Sequence, residues 1–184
     1  MAIGDIIVGI DIGTSKVAGV IAEINNFNQL EIISTAECKC FGMKKSKITD
    51  EDEIASAIRK TISEVEAQGN IKINSAYVTI PGKYVQIVQN SIVKEAKDKF
   101  AGITSKDVSL AMQQLRDIEM PEDKVIIDII KNQFTLDNGR VVEDPVGALS
   151  SSVTISGQVI LADKNYVRQL TNIFKKVKII FDKY

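Results

Sequence analysis

The chain has 184 residues, 45% of them hydrophobic, and its 23 basic and 24 acidic side chains leave a formal net charge of −1. This length and apolar content suffice for one domain or two small ones with a buried core, and the balanced charge excludes bulk attraction to nucleic acid or to an anionic membrane. The absence of histidine excludes histidine-based catalysis and histidine-ligated zinc.

Two cysteines and the amino terminus bear on the cellular compartment. Cys38 and Cys40 are two residues apart, so on a strand they point the same way and lie too close for a relaxed disulfide. We expect reduced thiols in a reducing compartment. The first residues lack the basic segment of a signal peptide, and no apolar run reaches membrane-spanning length. The sequence therefore predicts a cytoplasmic protein.

The chain begins with two apolar runs on either side of a small polar turn, which predicts two strands over residues 6–21. Asp11 follows aliphatic residues, so its carboxylate emerges at the end of a buried strand, where it can hold a cation or water. Gly13, Thr14 and Ser15 offer small side chains and open backbone amides, which suit close approach to phosphate oxygens. By itself, this pattern fits a plain β-hairpin equally well.

The next segments predict a mixed sheet with a helix. Residues 30–38 predict a third strand, which completes an antiparallel meander. Residues 42–50 form a basic loop whose lysines indicate a solvated surface or, alternatively, a contact for phosphate or an acidic partner. Thr49 and Asp52 predict the cap of a helix with one apolar stripe. Residues 75–80 predict a strand buried on both faces and parallel to an earlier one.

The pattern of apolar and polar residues changes at residue 83, and this change indicates an inserted module. Residues 83–93 alternate as a half-exposed strand does, and a capping box of Thr104 and Asp107 predicts a helix. Residues 124–134 predict another strand, and a turn followed by Val-Val at 141–142 predicts a short return. This order of strand, helix, strand and strand is that of a compact unit.

The last part of the chain predicts how the module ends. Residues 151–162 form one long β-prone run, of which the first part completes the module and Gln158 to Ala162 rejoin the first sheet. Asp163 then caps a final helix. The predicted division is a discontinuous parent domain of residues 1–82 and 158–184 with an inserted subdomain at residues 83–157.

Four motifs in this order of elements resemble the bacterial cell-division protein family FtsA, a branch of the actin-like ATPase superfamily. They are DIGTSKV at residues 11–17, GMKK at 42–45, YVTIPG at 77–82 and DPVG at 144–147. The first motif alone also occurs in heat-shock chaperone ATPases and sugar kinases, whereas the combination is more specific. The resemblance implies an α/β fold: the first lobe of the actin-like, ribonuclease-H-like ATPase fold with an inserted strand-helix-strand-strand interaction subdomain.

The resemblance also implies a nucleotide site. In this fold the turn that corresponds to Gly13, Thr14, Ser15 and Lys16 approaches the phosphates of ATP. The acid that corresponds to Asp11 lies near Mg²⁺, often with water between them. A hard carboxylate and backbone amides suit a hydrated cation and a polyphosphate. The family binds ATP with weak or no hydrolysis, and no catalytic residue is expected in this chain.

The expected partners are those of the family. FtsA proteins tether FtsZ filaments to the cytoplasmic face of the inner membrane at the division site and polymerise as actin does. The inserted subdomain would mediate self-association and contacts with other division proteins, and the edge of the strand at 83–93 is a candidate for strand addition. No nucleic-acid partner is expected.

The second phosphate motif, the adenine-binding segment, the FtsZ-binding subdomain and the membrane-binding C-terminal helix of the family would all follow the last helix of this chain. We therefore expect a fragment, a truncated gene product or a degenerate copy that binds ATP weakly by itself. Two alternatives remain open at this point. One is a phosphotransferase of the sugar- or acetate-kinase type, and the other is a protein-interaction module without nucleotide function.

Overall fold

The structure is a computed structural model that describes residue 2, residues 4–97 and residues 102–183. It contains two compact units, Met1–Tyr84 with Lys164–Tyr184 and Val85–Asp163. The strands are β1 (Ile6–Ile12), β2 (Lys16–Ile24), β3 (Leu30–Lys39), β4 (Met43–Lys44), β5 (Lys47–Ile48), β6 (Ser75–Val78), β7 (Val85–Glu95), β8 (Lys124–Leu136), β9 (Val141–Val142), β10 (Ser152–Asp163) and β11 (Ile180–Lys183). The helices are α1 (Glu51–Gly69), α2 (Ser105–Gln114) and α3 (Lys164–Val177). In the described part of the chain, no helix is long and apolar enough to cross a membrane.

The first unit is a five-stranded sheet in the order β11-β6-β1-β2-β3, with α1 and α3 packed against it. The predicted meander of β1, β2 and β3 is confirmed, and β6 runs parallel to β1 as expected. Alternate residues of β1 and β2 face the helices, so Ile10 and Ile21 share one core with Ile54, Ile58 and Phe174. The sheet thereby fixes the positions of the β1–β2 turn and of the chain after β6.

Helix α1 begins at a different cap from the predicted one. Asp50 has an extended backbone, and its Oδ1 accepts hydrogen bonds from the amides of Asp52 at 3.0 Å and Glu53 at 2.9 Å. Thr49 instead donates its hydroxyl to the carbonyl oxygen of Gly42 at 3.0 Å. The predicted helix is confirmed but the predicted cap residue is wrong, because the carboxylate one residue later satisfies two of the free amides at the helix start.

The basic segment before α1 is a hairpin rather than a loop. Strands β4 and β5 pair through Met43 with Ile48 and Lys44 with Lys47. Lys45 and Ser46 connect them with φ angles of 48° and 60°, and a type I′ turn requires such positive φ values at both central residues. The loop prediction was wrong because the sequence here lacks the Asn-Gly or Asp-Gly pair that usually marks this turn.

The second unit is an antiparallel sheet in the order β7-β10-β8-β9. One side of the sheet packs with α2 in a core whose members include Ala111, Leu115, Phe134 and Ile155. The predicted strand-helix-strand-strand order is confirmed, and β7 lies at the edge of the sheet.

Strand β10 corrects the predicted end of the insertion. Residues 158–162 do not rejoin the first sheet, because β10 stays between β7 and β8 along its whole length, and Ala162 pairs with both Val85 and Val125. Gly157 lies at a register shift instead of ending the strand, and a Cβ there would approach the carbonyl oxygen of Ile130 to 2.9 Å. The polypeptide passes between the two units at 84–85 and at 163–164.

Candidate functional site

The turn between β1 and β2 is tight. The amide of Gly13 donates to the carbonyl oxygen of Lys16 at 2.9 Å, and Ile12 pairs with Val17. A Cβ on Gly13 would lie 3.1 Å from that same carbonyl oxygen, which is a tight contact that leaves little room for a larger residue. The side chains of Thr14 and Ser15 are exposed at its tip. The turn therefore presents backbone and two hydroxyls to solvent without bulky side chains.

Asp11 lies beside this turn and is oriented by a residue from the neighbouring parallel strand. Its Oδ1 accepts a hydrogen bond of 2.6 Å from the hydroxyl of Thr79, whose amide donates to the carbonyl oxygen of Ile10 at 3.1 Å. Both groups lie at the carboxyl ends of β1 and β6, which is where ligands bind in open sheets with parallel strands. The predicted residues Asp11, Gly13, Thr14 and Ser15 are thus adjacent, and they lie where the central strand β1 ends.

Lys16 belongs to the same turn but is engaged with the next strand. Its Nζ forms an ion pair with the carboxylate of Glu37 on β3. Both side chains are more than half exposed, and such surface pairs contribute only about 0–1 kcal/mol. An incoming anion would therefore meet little resistance in drawing the ammonium group away from Glu37.

A pair of tyrosines lies close to Asp11. Tyr84 and Tyr166 stack with ring centroids 4.0 Å apart and an angle of 19° between the planes. Burial raises the pKa of the Tyr166 phenol to about 12, and the neighbouring Tyr84 and the negative charge of Asp11 act in the same direction. Tyr166 therefore stays a neutral phenol at physiological pH.

The β4–β5 hairpin is connected to both parts of this site. The amide of Cys40, three residues before the hairpin, donates to the carbonyl oxygen of Ser15 at 3.0 Å. At the hairpin tip, the carbonyl oxygen of Lys45 accepts a hydrogen bond from Nζ of Lys83, which also lies 4.8 Å from the centroid of the Tyr84 ring. The segment just before the hairpin thus contacts the turn, and the hairpin tip contacts the segment after β6.

Sequence reasoning missed Thr79 and Tyr166. Thr79 had a detectable signal, because it is a polar residue at the end of a run predicted to be a buried strand. Tyr166 lies within the predicted last helix, and its side chain is buried in the core of the first unit. Its proximity to Asp11 depends on the packing of α3 and has no signal in the local sequence.

The residues fit a hydrated Mg²⁺ ion better than a directly bound metal. Within residues 4–97 and 102–183, no group of three or more Asp, Glu or Cys side chains could hold a metal ion. Mg²⁺ keeps several water ligands and is commonly held by one or two carboxylates together with substrate phosphates. Asp11 is exposed, and Thr79 engages only its Oδ1. One oriented carboxylate of this kind suits a water-mediated contact.

Comparison with known proteins gives the relationships of the chain. Residues 82–161 match the family described as the SHS2 domain inserted in FtsA. The chain is 24% identical over 179 residues to the cell division protein FtsA of Buchnera aphidicola subspecies Schizaphis graminum, covering 96% of this chain and 42% of the relative. It is 27% identical over 166 residues to the FtsA of Bacillus subtilis, covering 90% of this chain and 38% of that protein. The chain thus spans about two fifths of the length of these relatives.

Among solved structures, a chain of the PilM-PilN type IV pilus biogenesis complex resembles this protein with a TM-score of 0.57 and 12% identity. The match covers 96% of this chain and 46% of that one, and at this identity it concerns the fold alone. The chain thus resembles FtsA proteins over most of its length, and its residues 82–161 match the SHS2 domain inserted in FtsA.

Proposed function

We propose that this chain provides the phosphate-binding part of a Mg²⁺-ATP site and the interaction domain of a bacterial cell-division protein. The observation that carries the proposal is the hydrogen bond from Thr79 to Asp11, which orients a carboxylate beside the Gly13 turn at the ends of two parallel strands. The similarity to FtsA proteins supports the same assignment.

Each residue has a distinct role in this proposal. Backbone amides of Thr14 and Ser15 approach the phosphates, whereas the amide of Gly13 closes the turn on the carbonyl oxygen of Lys16 and Gly13 contributes close approach through its missing side chain. Lys16 exchanges Glu37 for a phosphate oxygen, which forms the stronger charge-assisted bond. Asp11 holds the metal through water. The bound Mg²⁺ supplies positive charge that neutralises the phosphate chain.

The residues that we assign contact only phosphates and metal. None of these residues is assigned a contact with the base or the ribose of the nucleotide, and none is assigned a catalytic role. Because affinity rises with the number of matched contacts, we expect these residues alone to bind Mg²⁺-ATP weakly and without turnover. We propose that tight binding requires contacts from a second half-site of the kind that actin-like proteins possess.

In the cell, we propose that the protein acts with its family at the division site on the cytoplasmic face of the membrane. The complete protein would polymerise and link FtsZ filaments to that membrane. The second unit, which contains the SHS2 match, would carry the contacts with further copies and with other division proteins. Strand β7 lies at the edge of its sheet, and an edge strand offers unpaired backbone groups for such contacts.

The nucleotide proposal is tested by calorimetry and by amide NMR with Mg²⁺-ATP. We expect binding weaker than micromolar, with shifts centred on residues 11–16. Asp11→Asn should remove the dependence on Mg²⁺, whereas Asp117→Asn, which makes the same charge change at an exposed site in the second unit, should leave it intact. Micromolar binding would contradict the weak-site proposal, and shifts that spare the turn would contradict the assigned site.

A further inference from the structure

We propose that the β4–β5 hairpin and Lys83 bind the terminal phosphate of a triphosphate chain and so favour triphosphate over diphosphate. This inference rests on the proposed function of residues 13–16, because it adds a contact to the ligand held there. It assigns a role to lysines that the phosphate-binding turn itself does not include.

The first observation is uncompensated positive charge. Lys44, Lys45 and Lys47 lie within one short hairpin, and the hydrogen bond to Lys45 brings Lys83 to the same place. Among the described residues, no carboxylate lies within 4.0 Å of any of these four ammonium groups. Several cations held together in this way attract an anion and gain when one binds.

The acidic residues that follow the hairpin form no ion pair with its lysines, because each is engaged with another group. The carboxylate of Asp50 accepts hydrogen bonds from backbone amides at the start of α1. The carboxylate of Glu53 accepts a hydrogen bond of 2.6 Å from the amide of Phe41. Glu51 and Asp52 both form ion pairs with Lys176 of α3. The positive charge of the hairpin therefore remains available to a ligand.

The second observation is the strained backbone at the hairpin tip. Lys45 and Ser46 adopt φ values of 48° and 60°, although neither is a glycine or an asparagine. Residues held in this region by their surroundings are common at ligand-binding sites. The hairpin thereby holds its lysines at a defined place, and it begins three residues after Cys40, whose amide donates to the carbonyl oxygen of Ser15 in the 13–16 turn at 3.0 Å.

The third observation is the position of Lys83. It follows Thr79 by four residues, and Thr79 is the residue that orients Asp11. Its Nζ now donates to a neutral carbonyl oxygen and lies over the ring of Tyr84. A phosphate oxygen carries charge and forms a stronger bond with an ammonium group, so a third phosphate would draw Lys83 from the carbonyl of Lys45.

The test uses the 184-residue chain with inorganic pyrophosphate and tripolyphosphate in the presence of Mg²⁺, followed by amide NMR. We expect tighter binding of tripolyphosphate, with shifts in residues 11–16 and 43–48. Lys83→Met should weaken tripolyphosphate binding about tenfold and pyrophosphate binding less than about twofold, as for the loss of one charge-assisted contact. Lys83→Arg should retain most of the preference.

Lys131→Met is the matched control, because Nζ of Lys131 also lies over an aromatic ring, 4.5 Å from the centroid of Phe134, but in the second unit. Lys47→Met is a second test at an exposed position if Lys83→Met loses the dispersed spectrum of a folded chain. It should weaken tripolyphosphate binding more than pyrophosphate binding.

The outcomes separate this inference from the proposed function. Equal weakening of both ligands by Lys83→Met, or no preference in the wild type, would overturn the inference and leave the turn assignment in place. If Asp11→Asn had no effect while Lys83→Met did, the turn assignment would fail and the lysine site would stand. If neither ligand shifted residues 11–16 or 43–48, both would be overturned.

Discussion

Gly102 and Gly139 both adopt φ angles in the left-handed region, 72° and 81°, but in different surroundings. A Cβ on Gly102 would lie 2.4 Å from the carbonyl oxygen of Ala148, whereas a Cβ on Gly139 would have no neighbour within 4 Å in the described structure. The amide of Ile103 donates to that same carbonyl at 3.0 Å. The missing side chain at Gly102 therefore lets two loops of the second unit bind each other directly.

We predict that Gly102→Ala destabilises the second unit far more than Gly139→Ala. The first change adds a clash with backbone to the cost of a left-handed alanine, for a loss of about 3 kcal/mol in the free energy of unfolding. The second adds only the torsional cost, about 1 kcal/mol. Native-state hydrogen exchange of core amides in β10 measures both. Equal losses in the free energy of unfolding would show that the close approach to Ala148 does not affect stability.

At the scale of elements, the start of α2 combines a capping box with a buried acid. The hydroxyl of Thr104 accepts the amide of Asp107, and Oδ2 of Asp107 accepts the amide and hydroxyl of Thr104 at 3.1 and 2.6 Å. The Asp107 side chain is fully buried. The hydrogen bonds from Thr104 lower the pKa of this carboxyl, and the positive charges of Lys94 and Lys97 assist.

This cap makes the stability of the second unit dependent on pH in one direction. Because the pKa of Asp107 is lower in the folded chain, its contribution is complete above the unfolded pKa, about 4, and is lost as pH falls through the folded value. We predict that the stability difference between wild type and Asp107→Asn is greatest above about pH 4 and shrinks at lower pH. Urea unfolding at several pH values measures it, with Asp117→Asn as control. A pH-independent difference would contradict the cap assignment.

The elements also show which features the sequence could predict. Strands β1, β2, β3 and β6 were predictable because their β-prone runs end at turn residues, as at 75–80, whereas the short β4 and β5 were not. Strand β11 was missed, although its apolar residues follow α3 closely, because its assignment depends on parallel pairing with β6, far away in sequence. The sheet to which residues 158–162 of β10 belong was predicted wrongly for the same reason. An apolar run predicts a strand but not the strands with which it pairs.

The same limit applies to the candidate site. Asp11 and the 13–16 turn were found because the strand, the acid and the glycine are consecutive residues. The bond from Thr79 joins residues 68 positions apart, and the contact of Lys83 with Lys45 spans 38. Local patterns predict which residue types are present, whereas such pairs follow from the packing of whole elements.

At the scale of the molecule, two units with separate cores suggest a division of tasks. The first unit contains the candidate phosphate site, and the second matches the SHS2 domain. Strand β7 lies at the edge of the second sheet, and Ile87 in it is 57% exposed. An apolar side chain on an edge strand is suited to contact another chain.

If the second unit carries self-association, Ile87→Lys should weaken it about tenfold, because a buried charge would replace an apolar contact. Ile32→Lys is the matched control, since Ile32 is 66% exposed on β3, at the edge of the first sheet. Sedimentation velocity over a range of concentrations measures both. A wild-type chain that stays monomeric throughout, or a larger effect from Ile32→Lys, would contradict this role of the second unit.

The pairing of Val85 with Ala162 has a consequence for how such proteins change during evolution. Paired residues of an antiparallel ladder have Cα atoms only about 5 Å apart. The first and last residues of the inserted unit are therefore as close to each other as the two ends of a β-hairpin. A single genetic exchange bounded by these two sites can therefore replace one inserted domain with another, while the candidate phosphate site is inherited unchanged.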